Sequence, residues 1–215
     1  MIAIVDYGMG NLRSVEKAFE KVGFEAVVTD RSGIIEKADK IVLPGVGGFK
    51  DAIDGLQERN LIQPIINHIK KGKVFLGICL GLQLLFTRSS EGGENKGLNI
   101  IDGEVVRFTH GETVESPKRL FGENNHRLKI PHMGWNEIEI KKENPILKGL
   151  PDNSYMYFVH SYYVIPDRDD IIATETEYGV TFVSMISIDN VFAMQFHPEK
   201  SQRYGLMILK NFGEF

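Results

Sequence analysis

Apolar positions in the first half of the chain follow two rhythms. Short continuous runs, Ile2-Ala-Ile-Val-Asp6, Ala26-Val-Val-Thr29, Lys40-Ile-Val-Leu-Pro44 and Lys73-Val-Phe-Leu-Gly-Ile-Cys79, predict buried strands. Between them the apolar residues fall three and four apart. Leu12, Val15, Phe19 and Val22 predict a helix over 11–22 that Gly23 stops. Residues 32–38 suit a short helix. Residues 49–71 predict a helix in two pieces, the second with Ile62, Ile65, Ile66 and Ile69 on one face and Pro64 near its first turn. A further helix is expected from 80 to about 88. Strand alternating with helix predicts a parallel sheet covered on both faces.

The second half changes character. Glu104–Phe108, Glu137–Ile140, Tyr155–Val159 and Ile171–Thr174 alternate or are rich in β-formers. Thr181–Ser187 and Val191–Phe196 flank Ile188-Asp-Asn190, a hairpin signal. A short amphipathic helix, about Gln202 to Phe212, closes the chain. The expected fold is therefore α/β: an open mixed, mostly parallel sheet with helices on both faces and an added antiparallel section in the C-terminal half. One domain is expected over 1–215, interrupted by a polar excursion at about 109–130.

Composition changes this picture little. Hydrophobic residues make up 42% and charged residues 25%, which is ordinary for a globular chain. A net charge of −4 gives no reason to expect nucleic acid or an anionic membrane as partner. The single cysteine rules out an internal disulfide and suits a cytoplasmic setting. The N-terminus lacks the basic region and cleavage site of a signal peptide, and no apolar run reaches the ~20 residues of a membrane helix. There are no paired cysteines for zinc, so no metal is expected.

That cysteine is the candidate for chemistry. Gly77-Ile-Cys79-Leu-Gly81 has the spacing of a nucleophile elbow, with a thiol in place of the usual serine hydroxyl. The flanking glycines allow a tight strand-to-helix turn, and a helix N-terminus favours a thiolate. Read alone, a lone buried cysteine is more often core packing. A thiolate nucleophile also needs a base. Of the six histidines, His68, His110 and His126 read as solvated side chains. His197 ends an apolar strand, and Glu199, two residues on, is placed to accept from its Nδ1. In open sheets of this kind, sites lie beyond the carboxyl ends of the strands, which selects the loops Tyr7–Gly10, Pro44–Phe49 and Gly77–Gly81. Gly8-x-Gly10 lacks the third glycine of a dinucleotide fingerprint and reads as a turn.

Gly-Ile-Cys-Leu-Gly at 77–81, Gln-Phe-His-Pro-Glu at 195–199 and Pro44-Gly-Val-Gly47 together resemble the class I (triad) glutamine amidotransferases, which have a flavodoxin-like fold. The resemblance implies hydrolysis of the glutamine side-chain amide by Cys79, His197 and Glu199, with release of ammonia and no cofactor. Backbone N–H groups of Leu80 and of Val46 or Gly47 are expected to hold the oxyanion. Within that family the chain looks most like the glutaminase subunits of imidazole glycerol phosphate synthase, of histidine biosynthesis. The further markers are Val5–Leu12, Phe158–Tyr163 and, most discriminating, Pro131-His-Met-Gly-Trp-Asn136. In isolation Trp135 would read as a core residue in a turn. The resemblance implies that Gln83, His160, Ser161 and Tyr162 contact substrate glutamine. It places Asn11, Tyr162 and Lys200 on loops facing a (β/α)8 barrel synthase. That partner, in a heterodimer, uses the ammonia to make imidazole glycerol phosphate and an aminoimidazole co-product.

The 109–130 excursion is longer than this resemblance leads one to expect. Either a tolerated surface insertion explains it, or the chain is a paralogue serving a synthase of surface-polysaccharide amino-sugar pathways. A non-catalytic scaffold and a stand-alone γ-glutamyl hydrolase are the readings from other classes. The intact Cys79, His197 and Glu199 argue against the scaffold.

Overall fold

The structure, a computed structural model, describes residues 1–109 and 128–215. Nearly all of the expected polar excursion, with His110 and His126, lies outside the described residues. In chain order the elements of the first half are β1 (Ile2–Val5), α1 (Leu12–Lys21), β2 (Ala26–Thr29), α2 (Ser32–Lys37), β3 (Lys40–Gly45), α3 (Phe49–Glu58), α4 (Ile62–Lys70), β4 (Val74–Cys79) and α5 (Leu80–Gln83). Then come β5 (Phe86–Ser89), β6 (Asn95–Lys96), β7 (Ile101–Arg107), β8 (His132–Ile140), β9 (Ser154–His160), β10 (Tyr162–Pro166), β11 (Ile172–Glu177), β12 (Thr181–Ile188), β13 (Val191–Met194) and α6 (Gln202–Glu214).

Strands β2, β1, β3, β4 and β13 lie side by side in that order and run parallel. Period-two alternation splits their side chains between two cores. Ile2, Ile4, Val42, Leu76 and Ile78 pack with Val15 and Phe19 of α1 and Ile208, Leu209 and Phe212 of α6. Ala3, Val5, Ile41, Leu43 and Phe75 pack on the other side with Ile35 of α2, Leu56 of α3 and Ile65 of α4. Because both faces are covered, these strands read as continuous apolar runs.

Beyond β13 the sheet turns antiparallel through β12, β10 and β7, with β5 and β6 outside them. β12 also pairs with β11, which leads through β8 to β9. The antiparallel part is larger than its β-rich stretches suggested, because β5, β6 and β10 gave no periodic signal of their own.

One expected helix is corrected. It does not run from 80 to about 88 but ends at Gln83. The Leu84 carbonyl accepts from Leu98 N–H, Leu85 from Ile100 and Ile101, and Phe86 from Asn99. These bonds draw the chain into β5, which pairs in parallel with β7. His68 is also corrected. It is buried, not solvated, and its Nε2 lies 3.1 Å from the Val74 carbonyl. Burial lowers its pKa. Trp135 is neither in the core nor in a turn. It stands 45% exposed on β8. Among the described residues, no helix is long and apolar enough to cross a membrane.

Candidate active site

The loops after β1, β3 and β4 converge because their strands are parallel neighbours ending on one edge. Cys79 ends β4 with φ 55° and ψ −107°, a left-handed backbone conformation unusual for a residue with a Cβ. The glycines on either side are required by space. A Cβ at Gly81 would overlap the Leu43 carbonyl oxygen, and one at Gly77 would lie 2.8 Å from the Gly81 carbonyl oxygen. Strand β4 and the turn into α5 therefore close onto β3 as no other residue pair would allow.

His197 follows β13, the next strand across from β4, and its ring is buried. Its Nδ1 lies 2.8 Å from Glu199 Oε1, in a short 3₁₀ turn begun by Pro198. The Glu199 side chain is only 1% exposed. Nε2 of His197 is buried without a formed hydrogen bond and is turned toward Cys79. Burial of the ring opposes its charge. The Cys79 sulfur and then Glu199 outweigh that and hold its pKa up at about 10. The sequence-predicted Cys79, His197 and Glu199 are thus brought together, with an acceptor fixing the imidazole from behind. Five buried side-chain polar atoms lack a hydrogen bond among the described residues; His197 Nε2, Glu199 Oε2 and Tyr7 Oη are three of them. Such clustering marks groups kept for chemistry rather than for folding.

The loop after β3 sits over this turn. Gly45 is packed against the Tyr7 hydroxyl and the Leu80 side chain, Gly47 has φ +99° and faces Met9, and Val46 is exposed. Val46 and Gly47, on the loop after β3, and Leu80, the first residue of α5, therefore lie side by side at the Cys79 edge. Sequence reasoning marked the Tyr7–Gly10 loop as one of the candidate site loops but gave Tyr7 itself no role. Its phenol is pushed up by burial first and by the Cys79 charge second.

Of the four residues expected to contact substrate, Gln83, His160 and Tyr162 share one hydrogen-bond network, and Ser161 lies between two of them in the chain. Gln83 is buried and donates both amide hydrogens, to the Tyr162 carbonyl at 3.1 Å and to Gln195 Oε1 at 3.0 Å. Only its own oxygen is left to face a ligand. His160 is buried with Nδ1 2.8 Å from the Tyr162 carbonyl and Nε2 2.9 Å from His132 Nδ1. Any contact it makes with a ligand must run through its backbone. Ser161 is half-buried, and its carbonyl accepts from Phe108. Tyr162 opens strand β10 and is not a loop residue, which corrects its expected placement. Asn11 caps α1 and Lys200 lies in the turn after His197 with its Nζ 5.7 Å from the Tyr157 ring centroid; both are exposed at the carboxyl edge of the parallel strands.

Comparison with known proteins agrees with this geometry. The family model for "Glutamine amidotransferase class-I" matches residues 3–214. The chain is 54% identical over 214 residues to "Imidazole glycerol phosphate synthase subunit HisH" of Syntrophotalea carbinolica, covering 100% of both chains. It is 52% identical over 210 residues to the protein of the same description from Aquifex aeolicus, covering 97% of this chain and 94% of that one. Among solved structures, a glutamine amidotransferase crystal structure gives TM-score 0.68 at 17% identity, covering 99% of this chain and 100% of that one. A glutamine amidotransferase from Thermotoga maritima gives TM-score 0.62 at 19% identity, covering 92% and 75%. At these identities the two structures speak for the fold alone.

Proposed function

This chain belongs to the class-I glutamine amidotransferase family, and we propose that it is the glutamine-hydrolysing subunit of an imidazole glycerol phosphate synthase. The observation that carries the chemistry is the strained Cys79 elbow beside a buried His197 whose Nδ1 is held 2.8 Å from Glu199. The description shared by its full-length relatives supports the choice of synthase over the polysaccharide alternative.

In this reading the Cys79 sulfur attacks the side-chain amide carbon of glutamine. The oxyanion forms beside the backbone N–H of Leu80 and that of Val46 or Gly47. Hydrogen-bond donors placed there in advance stabilise charge as it develops. His197 gives its proton to the departing nitrogen, ammonia leaves, and a thioester remains. His197 then takes a proton from water, the hydroxide adds to the thioester, and glutamate and the thiol are released. Glu199 keeps the imidazole in the right tautomer throughout. Gln83 Oε1 accepts from the substrate α-ammonium, and the backbone of 160–162 lies beside the same end.

The ammonia passes to a (β/α)8 barrel synthase bound as a heterodimer. The surface that suits such a partner adjoins the site. Met133 is 61% exposed, and with Trp135 and Tyr155 it lies on the outer face of the β8–β9 ladder. β9 itself borders the site, since its Tyr157 carbonyl accepts from His197 N–H. An exposed aromatic cluster of this kind marks an interaction surface. Asn11, Tyr162 and Lys200 would extend it.

The test is glutamine hydrolysis with the histidine-pathway barrel synthase present. Cys79→Ala should abolish ammonia release while circular dichroism stays that of the parent chain. Retained activity in that variant, or parent glutaminase that ignores the synthase, would overturn the proposal.

A further inference from the structure

Gln195 sits at the end of β13, two residues before His197, and is completely buried. A buried primary amide has two donors and an acceptor to satisfy, and nothing in its own shape says which end points where. Here the surroundings decide. The Tyr162 carbonyl can only accept, so the amide nitrogen of Gln83, 3.1 Å away, must face it. The second hydrogen on that nitrogen then meets Gln195, 3.0 Å away, which must present its oxygen. The Gln195 nitrogen is left pointing the other way, at the Cys79 sulfur, 3.5 Å distant.

The chain of constraint continues behind Tyr162. His160 Nδ1 must carry a hydrogen to donate to the same carbonyl, so its Nε2 is a bare acceptor. His132 Nδ1, 2.9 Å from it, is therefore protonated, and His132 Nε2 accepts from Asn136 Nδ2 at 3.3 Å. The other Asn136 hydrogen goes to the Glu177 carbonyl at 2.9 Å. Each link from Glu177 to Cys79 pairs a donor with an acceptor, and turning any one of the linking groups round would set two donors or two acceptors face to face. Fully satisfied buried networks of this kind specify a single arrangement.

We propose that Gln195 is a further catalytic residue. Its side-chain amide donates to the Cys79 sulfur and stabilises the thiolate before attack, and Gln83 and the His160–His132–Asn136 chain act as positioning residues that hold the donor in place. This rests on the glutaminase reading and adds a group to its nucleophile. As a thiol, Cys79 donates instead to the Val159 carbonyl, 3.8 Å away. The thiol thus has an acceptor of its own, and the thiolate has a donor in Gln195 beside His197. The other titratable groups facing it are Tyr7 from the loop after β1 and His197 after β13, with Glu199 behind the histidine. Among these, Gln195 supplies a donor whose strength does not change with pH.

The sequence holds one cysteine, so alkylation by iodoacetamide in the whole chain reports on Cys79 alone. The experiment compares the parent chain with Gln195→Glu, which keeps the side-chain shape and replaces the donor by an acceptor, and with Gln195→Met, which keeps the volume and removes both. In each variant the pH of half-maximal alkylation should rise by about one unit or more, and the rate at neutral pH should fall about tenfold, as expected for loss of a charge-assisted hydrogen bond. Glutaminase kcat with the synthase should fall by a similar factor, with little change in KM. Gln83→Met, which releases the Gln195 amide to turn, should move the alkylation profile in the same direction. Unchanged alkylation profiles in folded Gln195 variants would overturn the inference even if the parent chain is a glutaminase. If Gln195→Glu and Gln195→Met both fail to fold, the Gln83→Met profile decides, and its identity with the parent would also overturn the inference. A parent chain without glutaminase activity, but with the shifted profiles in its variants, would sink the functional reading and leave the donor in place.

Discussion

Cys79 presents its side chain where it does because its backbone is held out of the relaxed regions, at φ 55° and ψ −107°. A conformation of this kind costs a residue with a Cβ about 1–3 kcal/mol, and glycine far less. Removing the thiol in two ways should therefore give two stabilities. Cys79→Ala keeps the strain, whereas Cys79→Gly relieves it. Cys79→Gly should be the more stable by about 1 kcal/mol, or roughly 2–4 °C in calorimetry, although both are inactive. An alanine variant that melts at or above the glycine variant would show that the elbow is not strained. At this scale the sequence carried a good deal. Cys79, His197 and Glu199 could be picked out because each lies in a short motif, and the motifs gained weight from one another and from the family resemblance they carry together. Gln195 was visible only as part of its motif, and His132 only as part of its own. What they do depends on which amide end and which ring nitrogen face which neighbour. Residues 83, 132, 160 and 195 settle that jointly, and they come together only in the fold.

Elements with a strong period were legible, and those defined by their partners were not. β1, α1, β2, α2, β3, α3, α4 and β4 lie where the apolar pattern put them, to within a residue or two. The helix after Cys79 was overrun because Leu82, Leu84, Leu85 and Phe86 look like an apolar helix face. They are all fully buried, but residues 98–101 claim the carbonyls of Leu84, Leu85 and Phe86 and make a strand of the last of them. β8 shows the same dependence in another form. Its alternation turns His132 inward with Ile138, and Met133 and Trp135 outward. No hydropathy pattern says that an outward tryptophan should stay bare. Because it is half exposed and touches chiefly Tyr157, at 6.0 Å between ring centroids, Trp135→Ala should change the stability of the isolated chain by less than about 1 kcal/mol. Buried under a partner, the same side chain would be a strong anchor. Titration calorimetry with the barrel synthase should show affinity lowered by about tenfold or more. Parent-like affinity would remove β8 from the docking face.

Over the whole molecule, the parallel strands bring the site to one edge, and the antiparallel extension closes it from behind with buried histidines. That closure ties stability to pH. Burial holds the pKa of His132 down at about 4. Burial, and then the neighbouring His132, hold that of His160 at about 3. In the unfolded chain both would titrate near 6.5. The folded form stays neutral while the unfolded form takes up protons, so the contribution of each histidine is complete above about pH 6.5. It is lost progressively as the pH falls toward the folded values. The hydrogen-bond pattern gives the same sign, because a second proton on either ring would set N–H against N–H between His132 and His160. His68, also lowered by burial, acts in the same direction. Between pH 6 and 4.5 the unfolding free energy should drop by about 1.4 kcal/mol per pH unit for each of the two inner histidines. Urea unfolding at several pH values measures this directly. The decisive comparison is with His132→Gln, which cannot take up the proton. Its slope should be shallower than the parent's by about one histidine's share, even if the variant is less stable at every pH. Parallel slopes would mean that His132 takes up its proton equally in the folded and unfolded chains, and the neutral tautomer assigned to it from Asn136 and His160 would then have to be given up.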